Sequence, residues 1–143
     1  MSEQKKPAVI HYAGNEFFVA IGPSGAALTI ETNSQRGAAA TPTELLLMAL
    51  GGCTGVDVVS ILKKKRQMVT AYRVEVSGDR RDEYPRRFTR ISVKHIVTGK
   101  GLVEKAVADA IHLSETKYCS VMASISPEVA VISSYEIVEA DAE

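Results

Sequence analysis

The sequence predicts an α+β domain in which two main helices lie against largely antiparallel sheets. Runs that alternate between apolar and polar residues, typical of half-buried strands, precede and separate two segments with helical spacing. The order of strands, helix, strand pair, helix and strand is typical of the α+β class. The glycine-containing stretches 22–25 and 99–101 are too short for phosphate loops and do not lead from a strand into a helix. Nothing therefore indicates a doubly wound nucleotide-binding fold.

The first third of the chain is expected to consist of short strands, two of them joined as a hairpin through the Gly-Pro-Ser-Gly turn at 22–25. A strand pair with clear alternation follows the first helix, and one strand ends the domain. The predicted strands are 8–12, 16–21, 26–31, 72–77, 88–97 and 129–138.

The first helix is predicted from 42 to about 65, because a complete start signal precedes it. Thr41 is the expected N-cap, Pro42 occupies the first helical position and Glu44 reaches back in a capping box. The first turns are apolar all round, which predicts a helix buried on every side. The second helix is predicted from 102 to about 117, and the segment 118–125 fits either a helical turn or a loop.

Composition and charge describe an ordinary globular protein, with 45% hydrophobic and 24% charged residues. Lysine plus arginine equals aspartate plus glutamate at 17 each, so charge gives no reason to expect nucleic acid or anionic lipid as a partner. The polar start of the chain lacks the apolar region of a secretory signal. The most apolar stretch, 45–61, is interrupted by glycine and polar residues, unlike a membrane span. We expect one cytoplasmic domain over 1–143, with no membrane partner.

Cys53 and Cys119 are the candidate reactive groups. Cys53 lies inside the first helix beside Gly51 and Gly52, and each mid-helix glycine costs about 1 kcal/mol relative to alanine. Such a cost indicates the close approach of another backbone or of a ligand. Cys119 follows the second helix, so two helices on one sheet can bring the thiols together. Spacing alone leaves open a functional pair and two inert core cysteines.

A structural disulfide and a metal site are both disfavoured by the sequence. A cytoplasmic compartment keeps thiols reduced. The three histidines, His11, His95 and His112, are not at metal-ligand spacing from either cysteine. We therefore expect no metal.

The stretch Thr-Pro-Thr-Glu-Leu-Leu-Leu-Met-Ala-Leu-Gly-Gly-Cys at 41–53, followed by Lys-Tyr-Cys-Ser at 117–120, resembles the osmotically inducible protein C / organic hydroperoxide resistance (OsmC/Ohr) family. The resemblance covers nearly the whole chain. The stretches 58–63 and 133–136 make it most similar to the YhfA-like branch. The resemblance implies an OsmC-like fold, an intertwined homodimer with two active sites at the subunit interface, and a role in bacterial stress defence.

The better-known members of this family reduce organic hydroperoxides. Carried onto this sequence, the resemblance implies that Cys53 is the peroxidatic thiolate and Cys119 the resolving thiol. Cys53 becomes a sulfenic acid, and Cys119 condenses with it to a disulfide. An external dithiol, such as a lipoylated protein, reopens the disulfide. No organic cofactor is implied.

Arg36 and Glu44 are the candidate activating pair, since the family's peroxidases use an arginine held by a glutamate near the thiol. Arg36 lies in the loop before the first helix, where a solvated loop residue is an equal alternative. In the peroxidases the acid directly follows the proline, but here Thr43 has that position and Glu44 comes next. A shift of one residue turns the side chain by about 100° around the helix, so Glu44 cannot simply take over the role of that acid. The capping box is a complete alternative explanation for Glu44.

Asp57 and His112 are the remaining polar residues of interest. Asp57 lies four residues after Cys53, on the same helix face, and a carboxylate in so apolar a stretch needs a partner. Arg36, His112 or a cation of the other subunit are the candidates. His112 itself is expected to be a core histidine, with polarisation of a thiol as the alternative.

Three functions remain open from the sequence. The first is a thiol-dependent organic hydroperoxide reductase, in effect a peroxidase with peroxiredoxin-like chemistry. The second is a redox sensor or a dimer that binds small electrophiles without efficient turnover. The third is a non-catalytic dimer in which both cysteines are packing residues.

Overall fold

The structure is a computed structural model that describes residues 5–141 of the chain. It contains two compact units, which divide between Leu46 and Leu47.

The first unit contains a three-stranded antiparallel sheet in the order β1-β2-β3. Its strands are β1 (Val9–Gly14), β2 (Phe17–Ile21) and β3 (Ala27–Glu31). Asn15 and Glu16 connect β1 to β2 with positive φ angles of 51° and 66°. The two hairpins confirm the three predicted strands, with ends that differ by one or two residues.

Helix α1 (Pro42–Lys64) begins where the sequence predicts. The Glu44 N–H donates to Thr41 Oγ1 across 3.4 Å, and the Thr41 N–H donates to Glu44 Oε2 across 3.2 Å. These reciprocal bonds are the predicted capping box, which satisfies two backbone donors that a helix start leaves free.

The prediction that α1 is buried on every side is wrong for the single chain. Its buried residues form one stripe: Leu50, Thr54, Gly55, Val58 and Leu62. Apolar residues outside that stripe are exposed, with Met48 at 59%, Val56 at 71% and Val59 at 43%. Core contacts reach only one side of the helix, so the apolar residues on its other side remain accessible. By length and apolar composition α1 meets the test for a membrane span, which the core helix of a soluble protein also meets.

The second unit contains β4 (Met68–Arg80), β5 (Phe88–Lys100) and β6 (Ala130–Glu139), in the order β4-β5-β6. β4 and β5 pair antiparallel, whereas β6 runs parallel to β5. The sequence predicts that β5 ends at 97, but the strand continues to Lys100, which pairs with Met68 at the start of β4. The absence of a side chain at Gly99 permits this, because a Cβ there would collide with the Met68 carbonyl oxygen.

Between β5 and β6 the chain forms α2 (Glu104–Leu113), a single π turn (Ser114–Tyr118) and the short helix α3 (Ser120–Ser124). The predicted second helix therefore begins two residues later than expected and changes its hydrogen bonding at Ser114. The ambiguous segment 118–125 is mostly helical. These helices form the crossover that a parallel β5–β6 pair requires.

Two clusters of buried aliphatic side chains form the core of the second unit. One joins α1, β5 and α2 through residues such as Val58, Val97 and Val107. The other contains Leu50, Phe88, Ile91, Val93 and Cys119, with Cys53 packed against it. Both cysteines therefore lie at or beside the core.

Candidate functional site

The structure brings Cys53, Asp57 and Cys119 together in the second unit. One ligand atom of each, the two Sγ atoms and a carboxylate oxygen, lies within 4.8 Å of the other two. Cys53 and Asp57 are one turn apart on α1, and both thiols are free. The two thiols therefore lie close together, as two helices on one sheet allow.

The π turn determines the position of Cys119. The Cys119 N–H donates to the Ser114 carbonyl oxygen across 2.8 Å, five residues back instead of four. Cys119 then caps α3, since its Sγ accepts the Met122 N–H at 3.3 Å. π turns inside helical segments frequently occur at functional sites.

Asp57 is held by Ser114, at the other end of the same π turn. Ser114 Oγ lies 2.8 Å from Asp57 Oδ2 and 2.9 Å from Thr54 Oγ1. A carboxylate only accepts, so the single hydroxyl proton of Ser114 goes to Asp57 and Thr54 donates to Ser114. The expectation of a cationic partner for Asp57 is wrong in the single chain, since a neutral hydroxyl bonds it.

Cys119 retains its proton at neutral pH. Burial raises the pKa of the Cys119 thiol to about 11, because a thiolate there would be poorly solvated. The Met122 N–H opposes this shift, while the hydrogen bond and charge interaction with Cys53 add to it. Cys119 is therefore a protonated thiol at neutral pH.

Arg36 lies in the first unit, where Glu31 and not Glu44 is its acid. Arg36 Nε lies 3.4 Å from Glu31 Oε1, and the Glu31 side chain is fully buried. The guanidinium also donates to the Asn15 carbonyl oxygen at 2.8 Å and stacks 3.9 Å from the centre of the Phe17 ring. Arg36 is thus a loop residue that stays about one-third exposed but is held by three partners.

The sequence suggested Glu44 both as the capping residue and as the acid that holds Arg36. In the structure Glu44 forms the capping box and Glu31 holds Arg36. Glu31 also accepts the Ala39 N–H, so it fixes both ends of the loop before α1. Glu44 serves the capping box. Sequence reasoning missed Glu31, although an acid that ends an apolar strand five residues before an arginine was an available signal.

The buried histidine is His95 and not His112. His112 is exposed on α2, so its assignment to the core is wrong. His95 is fully buried, and its Nδ1 lies 2.6 Å from the Tyr72 hydroxyl oxygen. The alternation of β5 places His95 in step with Ile91 and Val93, which was the signal for its burial.

The glycines beside Cys53 permit close packing on β4. A Cβ on Gly51 would lie 2.9 Å from a Val76 methyl carbon, and one on Gly55 would lie 3.4 Å from the Tyr72 ring. Gly52 is exposed and has no neighbour within 4 Å of such a Cβ. The close approach predicted at Gly51 is therefore that of a strand.

Two concavities adjoin the three-residue cluster. A small, mostly apolar one borders Cys119 between Leu50, Met122 and Glu115. An open cleft of about 330 Å³ borders Asp57, which is within the volume range of small-molecule sites. Its other lining residues are Ser60, Ile61, Lys64, Lys65, Leu113 and Tyr118.

Comparison with known proteins identifies the class to which this fold and thiol pair belong. A family model described as OsmC-like protein matches residues 34–134, and the chain belongs to this family. YhfA of Escherichia coli K12 is 45% identical over 123 residues, which are 86% of this chain and 91% of YhfA. The resemblance found in the sequence is confirmed.

Solved structures confirm the fold. A hypothetical protein from Aquifex aeolicus VF5 is 32% identical, with a TM-score of 0.85 over 98% of this chain and 100% of that one. The organic hydroperoxide resistance protein OhrB of Bacillus subtilis has a TM-score of 0.60 over 90% of this chain and 97% of its own. At 17% identity OhrB shows the shared fold alone.

Proposed function

We propose that this protein is a thiol-dependent reductase of organic hydroperoxides, with Cys53 as the attacking thiolate and Cys119 as the resolving thiol. The observation that carries the proposal is the pairing of the two free sulfurs beside Asp57, all within 4.8 Å. Membership of the OsmC-like family supports a stress-related redox role. The choice of substrate follows the family resemblance, because the better-known members of the family reduce organic hydroperoxides.

In the proposed reaction Cys53 acts first and the protonated Cys119 acts second, as the family resemblance implies. The Cys53 thiolate attacks the terminal oxygen of R–O–O–H, the O–O bond breaks, and a proton from solvent completes the alcohol R–OH. Cys53 is then a sulfenic acid. The Cys119 sulfur attacks the Cys53 sulfur, and the Cys119 proton leaves with the hydroxyl group as water. A dithiol donor, such as a lipoylated protein, reduces the disulfide by thiol–disulfide exchange.

Arg36 is the proposed activating cation, as the family resemblance implies, with Glu31 as its positioning acid. The support for this assignment is that Glu31, Asn15 and Phe17 fix the guanidinium in one orientation. Glu44, the other acid of the predicted pair, has a structural role in the capping box.

A homodimer is proposed for the working form. The exposed apolar residues of α1, Val56 above all, favour a second copy against this face, because surfaces of this kind mark contacts between proteins. The cytoplasm is the proposed location, since two free, adjacent thiols fit a compartment that keeps them reduced.

The test measures consumption of an alkyl hydroperoxide in the presence of dihydrolipoamide. Cys53→Ser is expected to abolish turnover. Without the dithiol donor, Cys119→Ser is expected to consume one equivalent and stop as a sulfenic acid that dimedone traps. Ser120→Ala, next to Cys119 but exposed, is the matched control and retains turnover. The proposal fails if the wild-type protein turns over none of several hydroperoxides with any dithiol donor.

A redox sensor is the second candidate, and the buried, protonated state of Cys119 favours it. A resolving thiol with a pKa near 11 is mostly unreactive at neutral pH, which slows each cycle. Thr43 stands where the family's peroxidases have their acid, which also favours a sensor over an efficient peroxidase. In this case mass spectrometry shows one disulfide or adduct per chain, while the hydroperoxide is not consumed beyond one equivalent.

A further inference from the structure

We propose that Cys53, Asp57 and Cys119, in the reduced protein, bind one thiophilic divalent cation, with Zn²⁺ as the natural occupant. The three donor atoms lie within 4.8 Å of one another, and Asp57 borders the open cleft. Cation binding uses the same reduced thiols as the proposed hydroperoxide reduction but is a separate function that needs no hydroperoxide.

The distances fit a tetrahedral zinc ion with a small adjustment. Zn–S bonds of about 2.3 Å and Zn–O bonds of about 2.1 Å place two sulfurs about 3.8 Å apart, and a sulfur and an oxygen about 3.6 Å apart. The separations here do not exceed 4.8 Å. Each donor therefore needs to move by about 1 Å or less.

The placement of the donors on the backbone also suits a metal. Cys53 and Asp57 are separated by four residues on α1, the spacing that puts two ligands on one helix face. Cys119 comes from the end of the π turn and approaches from a different direction. Ligands that converge from two segments enclose the ion without bending either one.

Ser114 supplies the second layer that metal-binding carboxylates usually have. Its hydroxyl group donates to Asp57 Oδ2, and Thr54 in turn bonds Ser114. This bond orients the carboxylate and leaves its other oxygen for a ligand. Asp57 also lines the cleft, so a water molecule can complete the coordination of the ion.

The sequence disfavoured a metal because no histidine is suitably spaced from a cysteine. In the structure the third potential ligand is Asp57. Zn²⁺ binding releases the Cys119 proton, and the resulting two thiolates and a carboxylate favour zinc over magnesium or calcium, because sulfur is a soft ligand. A Cys53–Cys119 disulfide removes both thiolates, so only the reduced protein binds. Bound zinc likewise protects both thiols from oxidation.

Titration of the reduced, metal-free protein with Co²⁺ tests the site directly. We expect one equivalent to produce thiolate-to-cobalt charge-transfer absorption and the intense visible bands of four-coordinate cobalt, and Zn²⁺ to displace both. X-ray absorption of the zinc-loaded protein should show two sulfurs at about 2.3 Å and oxygen at about 2.0–2.2 Å. The disulfide form should give neither signal.

Three variants distinguish a metal ligand, a residue that orients the ligand, and an unrelated carboxylate. Asp57→Asn removes the carboxylate but keeps a group that Ser114 can bond, and should weaken Zn²⁺ binding by more than tenfold. Ser114→Ala should weaken it by about 10–100-fold, the range for lost outer-layer bonds. Asp109→Asn, an exposed carboxylate paired with Lys105, is the matched control and should leave affinity unchanged.

The proposal is overturned if the reduced wild-type protein gives no charge-transfer band, if the zinc site contains other than two sulfurs, or if Asp57→Asn binds like the wild type. None of these measurements uses a hydroperoxide. A failed metal site therefore leaves the proposed peroxidase intact, and a protein without turnover can still bind zinc.

Discussion

Arg36 is held by Glu31, whose carboxylate oxygen lies 3.4 Å from the guanidinium Nε and whose side chain is fully buried. The Glu31 carboxylate also accepts the Ala39 N–H, and its charge is compensated by Arg36. A buried carboxylate of this kind is costly unless it is paired, so removal of one partner is strongly destabilising. The loop before α1 therefore depends on this pair.

Glu31→Gln is expected to lower the free energy of unfolding by about 1–3 kcal/mol. This is less than the 3–5 kcal/mol typical of broken buried pairs, because Arg36 is about one-third exposed. Glu44→Gln is the matched control and should change stability by less than about 0.5 kcal/mol, since glutamine also completes a capping box. Urea unfolding measures both.

Hydroperoxide turnover of the same two variants tests the assignment of the positioning acid. Turnover should fall in Glu31→Gln and persist in Glu44→Gln. The reverse pattern would return the role to Glu44 and contradict the assignment of Glu31.

Local signals in the sequence predicted most elements of the fold. The capping box at Thr41 and Glu44 depends on neighbouring residues, and the alternation of β4 and β5 reports which face is buried, so both were readable. The direction of β6 could not be predicted, because apolar and polar residues alternate in the same way in parallel and antiparallel strands. The π turn at Ser114 was hidden because its five residues are also compatible with an α-helix.

The candidate site was predictable only in part. Cysteine is scarce, so Cys53 and Cys119 stood out, and the helix period placed Asp57 beside Cys53. Ser114 and Glu31 were missed because their partners depend on how distant segments fold together. No periodicity in the sequence encodes such contacts.

Val56→Glu tests the proposed dimer. Val56 is 71% exposed on α1, so a charge there is harmless to a single chain, but a second copy would bury it. An unpaired buried charge costs several kcal/mol, and the dimer dissociation constant should rise roughly a hundredfold or more. Sedimentation measures this constant. Val103→Glu, at an exposed valine outside α1, is the control and should leave it unchanged.

Gly51→Ala tests whether α1 packs on β4 as closely as the structure indicates. The new Cβ would lie 2.9 Å from a methyl carbon of Val76, a stiff β-branched residue. Overpacking costs about 1–3 kcal/mol, and the better helix propensity of alanine returns about 1 kcal/mol. We therefore expect a net loss of about 1 kcal/mol in urea unfolding.

The double variant Gly51→Ala/Val76→Ala provides the matched test of that contact. With the methyl group removed, the alanine at 51 should no longer be destabilising, so the two changes should couple by at least about 0.5 kcal/mol. Strictly additive effects would mean that Gly51 and Val76 do not approach as described.

His95 is expected to make the protein less stable in mild acid. Burial lowers the pKa of His95 to about 4, from an ordinary value of 6.5. Burial also raises the pKa of Tyr72 far above its ordinary range, so the hydroxyl keeps its proton and can donate it to His95 Nδ1 in the Nε2–H tautomer. No residue within 5–141 bonds His95 Nε2, so a charged imidazole would be poorly compensated.

The direction of the change in stability follows from the pH at which His95 is protonated in the folded and in the unfolded protein. In the unfolded chain His95 becomes protonated below about pH 6.5, whereas in the folded protein it becomes protonated only near pH 4. Stability is therefore full above pH 6.5, falls as the pH decreases, and levels off near pH 4, with a loss of up to about 3 kcal/mol. His95→Gln should lack this component, whereas His112→Gln, at an exposed histidine, should retain it. NMR titration of the imidazole gives the direct measurement, and a midpoint near 6.5 for His95 in the folded protein would contradict the prediction.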